Sequence, residues 1–292
     1  MQNFDPLTQT EWLAEHLDDP GIRIVDIRGY VKKRELGNGR QEAEYLAARD
    51  EYDEAHIPGA VYVDWTRDIT NPDDPVPVQV APPDRFAALM SSLGIGDDTH
   101  AVVYDHAGSQ FATRLWWALT YYGHDRVSVL DGGWKKWTAE GRPTTAEVPV
   151  PDPATFTPRP HSERRADSGE VLAASRGGNA FILDARDEGQ YTGAVARGEG
   201  RAGRVPGAKH LHADTLLDPK NGTFRSDGEL AEKLREAGVP EDKDEPVVAY
   251  CNGGVAATVP LFALHRLGYK NLANYDGSWN EWGTREDLPT ER

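Results

Sequence analysis

The chain has 292 residues, 38% hydrophobic and 27% charged, with 32 basic against 48 acidic side chains and a formal net charge of −16. A surface this acidic repels nucleic acid and anionic lipid, so neither is expected as a partner, and no run approaches the ~20 apolar residues that span a bilayer. One cysteine, Cys251, excludes an intrachain disulfide and any multi-cysteine metal site, and the nine histidines are scattered, so no metal and no cofactor is expected.

The opening stretch MQNFDPLTQTEWL has neither a basic flank nor an apolar run. It does not read as a signal peptide, and a cytoplasmic location is expected. Short apolar runs then alternate with helical patterns. IRIV (22–25), AVYV (60–63), AVVY (101–104) and VSVL (127–130) read as strands, with helices over RFAALMSSLG and FATRLWWALTYYG. NPDDPVPVQVAPP (71–83) reads as a long surface loop. A proline-rich, aperiodic stretch over 141–168 reads as an extended linker. Beyond it, FIL, PVVAY and LANY read as strands, with helices over ELAEKLREAG and VPLFALHRLG. Each of these four helices runs into a glycine, the expected cap.

The two halves repeat each other. IRIVDIR, AHIPGA, VVYDHAG and VLDGGWKKW in the first match AFILDAR, GRVPGA, VAYCNGG and NYDGSWNEW in the second, in the same order. Strands alternating with helices predict an α/β fold with a mostly parallel sheet covered by helices on both faces, here in tandem. The expected domains are 1–142 and 167–292, joined by a linker over 143–166.

Ligands of open α/β sheets bind outside the carboxyl ends of the strands. Cys251 directly follows PVVAY and opens the loop CNGGVAA, whose successive backbone N–H groups can curl into an anion-binding nest ahead of a helix expected near Ala256 or Ala257. Nest and helix N-terminus both favour negative charge on sulfur, and the thiolate is the nucleophile. A lone cysteine is often only a small buried side chain; the strand-end position and the glycines argue against that here. At the matching point of the first half stands Asp105. Thiol chemistry is therefore expected of the second half alone.

With the paired DIR and DAR, HIPGA and VPGA, YDGSWNEW and the single cysteine loop, nearly the whole chain resembles the two-domain rhodanese sulfurtransferases. The resemblance implies tandem rhodanese-like domains and double displacement: Cys251 takes a sulfane sulfur from a small anionic donor, and the persulfide passes it to cyanide or a thiol. It implies a cradle of N–H groups from Asn252, Gly253, Gly254, Val255, Ala256 and Ala257. Related cysteine phosphatases end a longer loop in an oxyanion-gripping arginine; here the sixth residue after Cys251 is Ala257, and no arginine occurs from 252 to 265. Thiosulfate-type loops resemble CRKGVT and mercaptopyruvate-type loops CGSGVT. The uncharged CNGGVA leans to 3-mercaptopyruvate, with thiosulfate as the alternative, although Gly253 stands where that type has serine.

The resemblance also implies arginines that clamp the donor carboxylate. Arg197 falls at one expected position and Gln190 at the other; Arg186 or Arg204 is expected to help Arg197 bind the donor, and Arg201 lies close by as a substitute. His56 resembles a histidine that approaches the cleft, though a structural role beside the PGA turn fits it equally. Asp26 with Arg28, and Asp184 with Arg186, recur in both halves and read as structural ion pairs. The repeated tryptophans read as core anchors. A non-catalytic binding module is the remaining alternative, and the chain is expected as a monomer or dimer.

Overall fold

The computed structural model describes residues 5–106 and 108–292; the first four residues of the N-terminal stretch read above, and Ala107, lie outside it. In chain order the strands are β1 (Leu7–Thr8), β2 (Ile22–Asp26), β3 (Gly29–Gly37), β4 (Arg40–Ala47), β5 (Val61–Tyr62), β6 (His100–Tyr104), β7 (Val127–Leu130), β8 (Arg165–Ala166), β9 (Phe181–Asp184), β10 (Ala196–Arg197), β11 (Lys209–His210), β12 (Val247–Tyr250) and β13 (Leu272–Tyr275). One sheet has the order β1-β7-β6-β2-β5 and another β11-β9-β12-β13-β8. Read from the other edge, the second order is the first with each strand replaced by its repeat, and every pair in both sheets is parallel. The duplication in sequence is thus a duplication of topology.

The central strands β6 and β12 are buried along their whole length, which is why they read as continuous apolar runs. The helices read from sequence lie at Pro83–Ser92, Gln110–Tyr121, Asp227–Glu236 and Thr258–Arg266. Glycines end them with positive φ, as at Gly123 (80°) and Gly268 (87°). Among the described residues no helix is long and apolar enough to cross a membrane.

The helices that follow β6 and β12 pack on each other where the halves meet. Phe111–Thr120 and Thr258–Leu264 are buried all round, as helices must be when sheet and partner helix cover them. Trp116 meets Phe262 edge-on at 5.0 Å, and the hydroxyls of Thr113 and Thr258 lie 2.8 Å apart. The halves also exchange loops: Asp276 accepts the Val80 N–H at 2.8 Å, and its repeat Asp131 accepts the Phe224 N–H at 2.8 Å.

Residues 143–166 run mainly as extended backbone strapped to the first half: Thr145 exchanges backbone bonds with His56, and His161 N–H reaches Tyr121. The last two residues of this stretch form β8, pairing with β13 in the second sheet.

A two-stranded antiparallel ribbon, β3–β4, lies outside both sheets, its turn at Asn38 and Gly39 with φ of 52° and 69°. Its third strand, β10, comes from the other half: Ala196 pairs with Arg40 and Arg197 with Gln41. The first half thereby reaches across to the second.

Histidine burial sets an acid limit. His100, bonded to Ser128 Oγ at 2.8 Å, is pushed down to about 4, chiefly by burial. Burial lowers His124 and His265 in the same direction. The folded-state value lies below the unfolded one, so the stability is present above ~6.5 and is lost as pH falls toward 4. The loss from His100 alone reaches ~3 kcal/mol at most. Urea unfolding at pH 7 and pH 4.5 is expected to show this loss, reduced in His100→Gln.

Candidate active site

Cys251 follows β12 at the carboxyl edge of its sheet, 4% exposed and unpaired as a thiol. Its N–H donates to Ser278 Oγ at 3.1 Å and its carbonyl accepts the Trp279 N–H at 3.1 Å. The Asn252 carbonyl accepts the Asn280 N–H at 2.8 Å. These bonds turn the loop's carbonyls outward. Among the described residues, none of the backbone N–H groups from Asn252 to Ala257 has a protein acceptor. The helix begins at Thr258, just beyond them.

The first half shows what such a loop holds. The Asp105 carboxylate accepts N–H bonds from Ser109 (3.1 Å) at the end of its loop and from Phe111 (2.8 Å) and Ala112 (3.0 Å) in the first turn of the following helix. Cys251 lies 146 residues after Asp105, so Ser109 and Phe111 map onto Val255 and Ala257. The repeat thus places a carboxyl group at the cysteine position, cradled by N–H groups.

The loop is held from the other half. Arg114, from the helix after β6, donates to the Gly254 carbonyl (3.1 Å), Asp276 Oδ1 (2.6 Å) and the Val78 carbonyl (3.0 Å). Asn274 Nδ2 also reaches the Gly254 carbonyl, at 2.9 Å. Val78 takes φ of 59°, rare for a β-branched residue. A Cβ on Gly253 would stand 2.5 Å from Val78 Cγ2, so a side chain there would require Val78 to shift.

Cys251 opens onto a cavity of about 160 Å³ lined from both halves, including Lys33, Tyr45, Val78, Arg186, Gln190, Arg197, His212 and Gly253. A space of ~150 Å³ holds a benzene-sized molecule, so the cavity suits a donor of a few heavy atoms.

Of the arginines singled out, Arg197 is nearly buried and bonds Tyr45 Oη at 3.1 Å. No carboxylate partner for it occurs among the described residues. A buried guanidinium without a counter-charge is costly unless a ligand supplies one. Arg186 borders the cavity, but its Nε and Nη2 are taken by Asp184 and the Gly203 carbonyl, and it stacks 4.3 Å over Trp279. Arg28 repeats this in the half without a cysteine, on Asp26, the Ala55 carbonyl and Trp134. Such pairing stabilises a buried guanidinium and commits two of the three guanidinium nitrogens of Arg186 to the framework.

Arg204 does not line the cavity; it pairs with Glu291 near the C-terminus. Arg201 caps the carbonyls of Trp282 and Arg285. His56 is fully buried away from the cavity, stacked on Tyr52 at 4.0 Å, its ring nitrogens on the Tyr52 and Glu147 carbonyls. The structure therefore brings Arg197 to Cys251 and leaves Arg204 and His56 in the framework. Gln190 links the halves: it bonds Asn252 Nδ2 at 2.8 Å and Gln41 at 3.1 Å.

Lys33 and Tyr45 escaped the sequence reading, although the Asn38-Gly39 pair between them is a hairpin signal. Lys33 pairs with Asp187 at 2.8 Å. Burial would raise Asp187, but Lys33 and the Gln190 N–H outweigh it and hold the carboxyl below its usual range. Among the described residues no cluster of His, Cys, Asp and Glu could hold a metal.

The rhodanese-like domain model matches residues 9–140 and again 167–285. The chain is 35% identical to the sulfur carrier protein TtuD of Thermus thermophilus, covering 97% of this chain and 95% of that one. It is 36% identical to the 3-mercaptopyruvate sulfurtransferase of Escherichia coli, over 96% of each. The crystal structure of SseA from Escherichia coli superposes with a TM-score of 0.82 at 32% identity, over 94% of this chain and 99% of SseA. With its topology repeated and both halves matched, the chain belongs to the rhodanese-like family.

Proposed function

We propose that the protein is a sulfurtransferase that takes a sulfane sulfur from 3-mercaptopyruvate onto Cys251 and passes it to cyanide or a thiol. The observation that carries this reading is the cavity shared by Cys251 and Arg197, a nucleophile beside a cation that, among the described residues, has a tyrosine hydroxyl but no carboxylate as partner. The cysteine sulfur attacks the donor's sulfur, and the resulting persulfide lies among the free N–H groups of Asn252 to Ala257. The acceptor then attacks the outer sulfur and restores the thiol. The half carrying Asp105 supplies walls and no nucleophile. Relatives named for 3-mercaptopyruvate sulfurtransfer and for sulfur carriage fit this chemistry.

Charge count favours the keto-acid donor. Arg186 and Lys33 are already paired with Asp184 and Asp187, which leaves Arg197 to match one carboxylate. Thiosulfate is a dianion in a cavity that also presents Asp214, so it is the weaker donor. Steady-state assays are expected to give the higher kcat/KM with 3-mercaptopyruvate; a clear preference for thiosulfate would reverse the donor assignment. Arg197→Met is expected to lower kcat/KM by about 10²-fold, mostly through KM, since a charge-assisted pair is worth ~1.5–3 kcal/mol. An unchanged KM would remove Arg197 from the binding site.

A further inference from the structure

We propose that Tyr45, on the ribbon contributed by the non-catalytic half, is a catalytic residue that hydrogen-bonds the donor's keto oxygen as the carbon–sulfur bond breaks. This rests on the sulfurtransferase reading above. Among the described residues lining the cavity, Tyr45 alone carries a hydroxyl; the loop from Asn252 to Ala257 has none. A Cβ placed on Gly253 would lie 3.8 Å from Tyr45 Oη, so the phenol stands over the cysteine loop where no loop side chain intervenes.

The direction of its proton follows from its partners. Tyr45 Oη receives Arg197 Nη2 at 3.1 Å and Asn280 Nδ2 at 3.3 Å. Both are donors, so the oxygen's accepting capacity is used and its O–H is left to donate. Among the described residues no protein group accepts that proton. The ring is fixed edge-on against the buried Trp65 at 5.5 Å, and Trp65 Nε1 donates to the Leu46 carbonyl at 3.0 Å. The hydroxyl is thus preorganised beside a guanidinium, two adjacent donors that match the neighbouring carboxylate and keto oxygens of an α-keto acid.

When the Cys251 thiolate attacks the donor's sulfur, an S–S bond forms and the C–S bond breaks. Its electron pair moves into the adjacent carbonyl and gives the enolate of pyruvate. Tyr45 O–H stabilises that oxygen, with Arg197 on the carboxylate. The proton carried by the donor thiol ends on the methyl carbon, so persulfide anion plus pyruvate balance thiolate plus mercaptopyruvate. Thiosulfate leaves as sulfite, with no carbonyl to receive charge, and gains little from the hydroxyl.

Single-turnover persulfide formation by the full-length chain and Tyr45→Phe, with each donor, tests this. The expected result is a drop of about 10²-fold in the maximal rate with 3-mercaptopyruvate, the usual cost of one oxyanion donor, and a change under about threefold with thiosulfate. An unchanged rate with 3-mercaptopyruvate overturns the role of Tyr45. So does an equal rise in KM for both donors, which is what a tyrosine that only positions Arg197 would give. If the wild-type chain gains no sulfur from either donor, the sulfurtransferase reading itself falls; wild-type loading with Tyr45→Phe unaffected removes only the tyrosine.

Discussion

Cys251→Ser is expected to lower transfer of sulfur to cyanide by more than about 10⁴-fold, because removing a covalent nucleophile leaves only binding and electrostatics to act. The substitution is nearly isosteric in a site that is 4% exposed, and the backbone bonds to Ser278 and Trp279 do not involve the side chain. Stability should therefore change by less than about 1 kcal/mol. The measurement is cyanide-dependent thiocyanate formation alongside an unfolding curve. Residual turnover above a tenth of wild type would mean that Cys251 is not the carrier.

Arg114→Met is expected to destabilise the fold by about 3–5 kcal/mol, since it strands a charge that cannot reach water. The side chains of Arg114 and Asp276 are 2% and 1% exposed. Asp276 would keep the Val80 N–H and the more peripheral Arg165 at 3.5 Å, too little for a buried carboxylate. The same substitution removes a donor from the Gly254 carbonyl and from Val78, so the cysteine loop and the cavity wall over it loosen together. Turnover should fall even where the variant remains folded. Adding Asp276→Asn is expected to recover about 1–3 kcal/mol, the coupling energy of the pair. Additive losses in urea unfolding would show that the two residues act independently.

The parts legible in sequence were those carried by local pattern. Strand β12, the glycines after Cys251 and the helix after them are contiguous, so the loop declares itself. The repeated DxR motifs read as structural, and Arg28 and Arg186 each take an aspartate and a backbone carbonyl while stacking on a tryptophan. What stayed hidden depends on distant partners. The ribbon KKRELGNGRQEAE is polar on both faces, because it stands off the sheets, and polar strands give no period-two signal. Its partner β10 is two residues long and lies in the other half. Nothing local reveals that Arg197 is aimed by Gln41 and Tyr45, or that Arg204 is claimed by Glu291. His56 likewise looks available in AHIPGA until Tyr52 and Glu147 close over it.

Sulfur transfer by this protein turns on a persulfide at one atom, and intact-mass analysis reads it directly. After incubation with 3-mercaptopyruvate and removal of excess donor, the wild-type chain should carry one additional sulfur atom. Cyanide should discharge it, and Cys251→Ser should never acquire it. A wild-type chain that gains no mass from 3-mercaptopyruvate or thiosulfate, or a serine variant that still does, would contradict the account.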